Sequence, residues 1–166
     1  MIKENENLRD ERFMREALVE AEKGYTLGEV PVGAVLVFED KVVARAHNLV
    51  ERTDNPTAHA ELLLLNKIFA LRSERVDLRA YTLYVTLEPC TMCASAIMIA
   101  RVGRLVYGAR DKKIGGVESL YNITNDPAFG HKIRVKSGVL AEECSTLLKR
   151  FFEDLRLGAK TGNRAK

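Results

Sequence analysis

At 166 residues, with 46% hydrophobic and 30% charged side chains, the chain is long enough for one domain with a real core, and no apolar run approaches the roughly 18 residues that a membrane span needs. The N-terminus, MIKENENLRDERF, lacks the apolar stretch of a secretory signal, and three cysteines make no disulfide framework, so the expectation is a cytoplasmic protein without a membrane partner. The net charge of +3 is uneven: residues 132–166 carry nine Lys/Arg against four Asp/Glu, a balance of +5, and residues 1–131 seventeen against nineteen, a balance of −2. A basic end points mildly to an anionic partner such as nucleic acid, or else marks a solvated helix face and a loose tail.

Residues 8–23 set Leu8, Phe13, Ala17, Leu18 and Ala21 at helical spacing, with Gly24 as a stop. PVGAVLVF (31–38) and KVVARAHNL (41–49) are β-rich runs split by Glu39-Asp40 and read as a hairpin. Residues 58–72 have helical character. YTLYVTLE (81–88) is a strand apolar enough to be buried on both faces. Residues 91–101 are a helix, 104–109 a strand, 110–130 a loop, 132–139 a short strand, and 141–156 an amphipathic helix bearing Leu147, Leu148, Phe151, Phe152 and Leu155. The order α-β-β-α-β-α-β-β-α predicts a mixed sheet between helices, a three-layer α/β/α domain over 1–156, with 157–166 as a basic, disordered tail. Its two middle strand–helix–strand units are expected to be right-handed parallel crossovers.

Chemistry concentrates in two stretches, NPTAHAELLLL (55–65) and LEPCTMCASA (87–96). His59 and Glu61 fall in the first turn of one predicted helix, Cys90 and Cys93 in the first turn of the next. Each helix follows a strand, and in open α/β sheets sites gather outside the carboxyl ends of strands, where helix N-termini meet. One imidazole and two sulfurs suit Zn²⁺, which takes N and S ligands tetrahedrally. Helix N-termini favour the thiolate. Three protein ligands leave a position open to water, the mark of a catalytic zinc. Glu61, two residues from a ligand, is placed to move protons without binding metal. A redox pair would need no His-x-Glu, and a closed structural zinc would need a fourth ligand, whereas His47, His131 and Cys144 stand in no paired spacing. Cys144 reads as a small buried residue. H-x-E followed about thirty residues on by P-C-x-x-C resembles the known signature of zinc-dependent nucleobase deaminases.

The sequence resembles the bacterial tRNA-specific adenosine deaminases, of the cytidine deaminase-like superfamily, from about residue 10 to 156. The resemblance rests on GEVPVGAVLV, AHNL, NPTAHAE, LYVTLEPCTMCASAI, VYGARDKKIGG and GVLAEECSTLLKRFF. It implies a five-stranded sheet between helices, one zinc per subunit on His59, Cys90 and Cys93, and Glu61 as proton shuttle. It further implies Asn48 as a partner of the target base, Val30 in the pocket wall, Asp111 beside the bound nucleotides, and a homodimer acting on a tRNA anticodon stem-loop. The reaction implied is hydrolytic deamination of the wobble adenosine, position 34, to inosine. Ser95 and Val117 depart from the family pattern, standing where glycine and a small residue are usual. Two rivals stand beside this reading: a free nucleobase or nucleoside deaminase of the guanine or cytosine type, sharing the same zinc site, and a non-catalytic RNA-binding subunit, against which the retained Glu61 argues.

Overall fold

A computed structural model describes residues 5–71 and 76–162, the last four of these by their backbone alone. The first element, α1 (Glu6–Thr26), is capped by Asn5, whose side chain accepts from the Asn7 amide at 3.0 Å. It buries Phe13, Met14, Ala17 and Ala21 along one stripe. Gly24, expected to end this helix, lies inside its last turn instead. The amides of Leu27 and Gly28 bond back to carbonyls of residues 23–25, and the chain turns at Gly28, whose φ of 80° falls in the left-handed region. A single glycine costs a helix only about 1 kcal/mol, less than continued packing on the sheet returns.

The hairpin forms as expected. Strands β1 (Gly33–Phe38) and β2 (Lys41–His47) pair antiparallel, joined by Glu39 and Asp40 with φ of 46° and 58°. Such a two-residue turn matches the twist of the strands it joins. A Cβ on Gly33 would lie 2.1 Å from the Ala17 carbonyl oxygen, so glycine lets α1 press directly onto β1. After a short helix α2 (Val50–Thr53), in a stretch to which the sequence assigns no element, come α3 (Ala60–Ala70), β3 (Thr82–Leu87), α4 (Thr91–Ile99) and β4 (Arg104–Ala109). The connection 110–133 contains two 3-10 turns, at Ile123–Asn125 and Pro127–Phe129. Then follow β5 (Arg134–Lys136), shorter than expected, and α5 (Ala141–Gly162). Residues 157–162, expected in a loose tail, continue α5, and residues 163–166 lie outside the described residues.

The five strands run in the order β2-β1-β3-β4-β5. β1 is antiparallel to both neighbours, and β3, β4 and β5 are parallel. One face buries Leu36, Leu83, Val85 and Leu105 against Leu64, Ile68 and Ile97 of α3 and α4. The other buries Val35, Val37, Tyr84 and Val106 against Phe13, Met14 and Ala17 of α1 and Cys144 of α5. This is the expected three-layer arrangement, and it explains why β1, β3 and β4 read as nearly unbroken apolar runs. No helix among the described residues is long and apolar enough to cross a membrane.

Candidate metal centre and active site

The sheet places the N-termini of α3 and α4 side by side. His59 is the N-cap of α3 and Cys90 the N-cap of α4, and neither spends its side chain on capping. Cys93 lies one turn further along α4, fully buried. His59 Nδ1 stands 3.6 Å from Cys90 Sγ and 3.5 Å from Cys93 Sγ. Ligands about 2.1 Å (N) and 2.3 Å (S) from a tetrahedral zinc are themselves about 3.5 Å apart, so the donor set and its spacing fit the ion. The other two histidines and the third cysteine are engaged elsewhere: His47 Nδ1 with Glu20 at 3.0 Å, His131 Nδ1 with the Phe129 carbonyl at 3.0 Å, and Cys144 packed under Gly108. Among the described residues, therefore, the three ligating atoms have no fourth partner of that kind. Hydrogen bonding from Cys93 holds the Cys90 thiol down to about 4, and the same contact, with burial, pushes Cys93 up. Hydrogen bonding to Cys90 raises His59.

Glu61, in the first turn of α3, is 3% exposed. Burial is the largest influence on it and raises its carboxyl to about 7. A cavity of ≈ 580 Å³ opens over these groups, lined by His59, Glu61 and Cys90 and by Val30, Asn48 and Asp111, while Cys93 sits behind the wall. The seven site residues proposed from the sequence thus converge. Asp111 has a visible structural task there: its Oδ1 accepts from the amides of Lys113 and Ile114 at 2.8 and 3.2 Å, closing its own loop.

Residues 8–109 match the cytidine and deoxycytidylate deaminase zinc-binding region. The tRNA-specific adenosine deaminase of Bacillus subtilis (strain 168) is 46% identical over 156 residues, covering 93% of this chain and 96% of that protein. A solved structure from work on A-to-I editing by tRNA:A34 deaminases superposes with a TM-score of 0.75 at 44% identity, covering 82% of this chain and 98% of that one. The chain belongs to the tRNA-specific adenosine deaminase family. It is a zinc-dependent hydrolytic deaminase. A guanine deaminase from Nitrosomonas europaea, at 24% identity and a TM-score of 0.72, covers 85% of this chain and 83% of that one, and shares the fold.

Within this tRNA-specific adenosine deaminase fold, two buried glutamates matter that the sequence reading gave no role. Glu88, directly before the Pro-Cys of α4, accepts at Oε1 from the amides of Val117, Glu118 and Ser119 at 3.2, 2.8 and 2.9 Å. Its Oε2 accepts from the Asp111 amide at 3.0 Å and from the Ser119 hydroxyl. Burial alone would raise this carboxyl, and these donors lower it below its ordinary value. One side chain thereby ties the cavity-lining loop to α4, and a Cβ on Gly115 would strike it at 2.6 Å. Val117, a departure from the family pattern, is buried and feeds its amide into this anchor. Glu29 is the second, wholly buried, accepting from Asn48 Nδ2 and from the amides of Glu51 and Arg52. The signal in the sequence was a glutamate standing beside an apolar strand, in GEVPVG and in LEPC. Such a position is tolerable only with a full set of donors.

Proposed function

We propose that this deaminase converts adenosine to inosine at the wobble position, position 34, of a tRNA anticodon loop. It does so as a homodimer, a cytoplasmic enzyme with the anticodon stem-loop as its partner. The observation that carries this reading is a three-atom zinc donor set with Glu61 buried beside it, opening into a cavity whose exposed lining holds three cations against one exposed carboxylate, Glu51. Exposed Arg110, Lys112 and Lys113 border the opening together with the half-exposed rings and chains of Phe152 and Ile114. Cations for phosphates, with an aromatic face nearby, suit an unstacked base in a loop, which enters such a pocket at far lower cost than a paired one. The substrate named for the relatives supports the same reading.

His59, Cys90 and Cys93 hold the zinc, which when bound supplies a Lewis acid that makes hydroxide available near neutral pH. Glu61 accepts the proton given up by the attacking water and delivers it to N1 of the adenine as the new C6–O bond forms. It then carries a proton to the C6 amine as the C6–N bond breaks, so that adenosine and water become inosine and ammonia. A buried carboxyl lining the cavity beside the metal donors is placed both to accept and to donate a proton. Asn48 meets the base with its amide, Val30 packs against it, and Asp111 holds the loop that borders the nucleotides.

The test is incubation with tRNA transcripts followed by sequencing, with A-to-G conversion expected at position 34 of the substrate tRNA. Turnover of free guanine or cytosine derivatives and none of tRNA would replace this reading by the nucleobase rival. Salt separates the two as well: an activity resting on several phosphate contacts falls steeply with ionic strength, and one on a neutral nucleoside does not.

A further inference from the structure

An asparagine amide has two ends of similar shape and opposite chemistry, a carbonyl that accepts and an NH₂ that donates. Which end meets a ligand is decided by what holds the other. Asn48 follows β2 directly and lines the cavity beside His59 and Glu61. Its backbone is pinned by its amide donating to the Val32 carbonyl at 3.0 Å. Its Nδ2 donates to Glu29 Oε2 at 3.1 Å. The same oxygen accepts from the Glu51 amide at 3.1 Å, and Oε1 from the Arg52 amide at 2.7 Å. Glu29 is 0% exposed, and no cationic side chain among the described residues forms an ion pair with it. Both oxygens are thus filled by N–H donors, and a carboxylate so engaged has nothing to offer a carbonyl. The Asn48 amide has only one orientation compatible with this partner. Its Oδ1 takes no hydrogen bond from any described residue and is not sealed from solvent, so it is the atom left for a ligand.

We propose that Glu29 is a positioning residue that locks the Asn48 amide, so that its carbonyl oxygen leads toward a hydrogen-bond donor on the bound nucleotide. The proposal rests on the reading that Asn48 meets the base. Glu29 never touches substrate in this scheme; it fixes which edge pattern Asn48 accepts. A glutamine at position 29 has the same shape but brings an NH₂ of its own. Turned toward Arg52, that group opposes the Arg52 amide and loosens the turn that holds the pair; turned toward Asn48, it opposes the Glu51 amide and favours the flipped Asn48 amide, which presents a donor where the substrate also has one, so either orientation weakens the lock.

The test is a polarity swap, read as kcat/KM for deamination of an anticodon stem-loop RNA, with zinc per chain and melting temperature measured on the same preparations. E29Q is expected to lose about tenfold or more, the scale of one misplaced hydrogen bond, at unchanged zinc content. N48D, which sets two carboxylates against each other, is expected to lose more. In E29Q/N48D the glutamine NH₂ again donates across the pair and an oxygen again faces the cavity, so the double variant is expected to exceed both singles in kcat/KM. A double variant no better than the worse single overturns the proposal, as does E29Q with wild-type kinetics. Zinc loss in E29Q that N48D does not repair assigns Glu29 to holding α2 alone and overturns it equally. N48A separates this failure from that of the underlying reading. Wild-type kinetics in N48A removes Asn48 from base recognition altogether, whereas an impaired N48A with no rescue in the swap sinks only the role of Glu29.

Discussion

Strand β4 has a cluster of buried charge near each end, and the two are built on opposite plans. At its start, Arg104 meets Asp10, which is fully buried and accepts from Arg104 at 2.6 and 2.8 Å, from Lys136 at 2.7 Å and from the Tyr84 hydroxyl at 2.9 Å. Burial pushes the Asp10 carboxyl up, but the hydrogen bonds from Arg104, Lys136 and Tyr84 outweigh it and hold it down to about 2. Every oxygen lone pair has a use within the chain. Past the far end of β4, Glu61 is equally hidden, but its carboxyl is pushed up to about 7 and it faces a cavity beside three ligating atoms that have no fourth His, Cys, Asp or Glu partner among the described residues. Completed partners make the first cluster a clamp between α1, β3, β4 and β5. The second cluster is turned to a cavity instead, and its three donors fit a zinc ion.

The sharpest way to break this contrast is at Glu61. Glu61→Ala removes the proposed proton carrier but no proposed metal ligand, so zinc content and affinity for the anticodon stem-loop are expected to hold while inosine formation falls by at least roughly 10²–10⁴-fold. Both quantities are to be measured on one preparation. If affinity and turnover collapse together, Glu61 is a structural residue like Asp10. Cys90→Ala or Cys93→Ala is expected to lose the roughly one zinc per chain that a three-ligand site implies, and most activity with it. Full deaminase activity in either variant stripped of metal would refute the assignment of the site.

The candidate metal cluster was legible in the sequence because metal chemistry demands particular residues at particular spacings, and His59, Cys90 and Cys93, with Glu61 beside them, satisfy those demands within two short stretches. The clamp was not legible. Asp10, Tyr84, Arg104 and Lys136 are ordinary residue types separated by up to 126 positions, and only the register of β3, β4 and β5 against α1 brings them together. Glu29 and Glu88 lie between these cases: a buried glutamate beside a strand hints at a donor set, but the donors are backbone amides, which no sequence pattern displays. Local elements followed the same logic. The Glu39-Asp40 hairpin was evident from the β-rich runs on either side of it. Gly24 was misread as a stop because its place in the last turn of α1 depends on packing against the sheet, not on propensity. Residues 157–162 were misread as a tail because a basic composition does not reveal how far α5 continues.

Asn48 sharpens the comparison from a position between the clusters, buried like the clamp yet open at one atom like the active site. Asn48→Ala is expected to keep its zinc and lose roughly ten- to hundredfold in kcat/KM, the scale of one unmet hydrogen bond at a base edge. Its melting temperature is expected to move less than its kinetics. The opposite pattern would place it with the structural residues.

The smallest effect on catalysis is expected at the clamp, and there the readout is stability against pH. The folded-state carboxyl of Asp10 lies near 2, below its ordinary value of 3.8. A carboxyl lowered on folding contributes stability that is complete above the unfolded value and is lost as pH falls through the folded one. The window for Asp10 therefore runs from about pH 4 down to about pH 2. The shift corresponds to about 2 kcal/mol at neutral pH, and since Asp10 is wholly buried, solvent screening removes little of it. Asp10→Asn keeps the size of the side chain but loses its charge, one acceptor and the two-pronged match to Arg104. It is expected to melt well below the parent at pH 7, with the gap narrowing as pH falls below 4, and to retain parental activity per bound zinc at temperatures where it is folded. A gap that stays constant from pH 7 to pH 2 would show that Asp10 gains nothing from its charge. A loss of activity per zinc would show that the two ends of β4 are not independent.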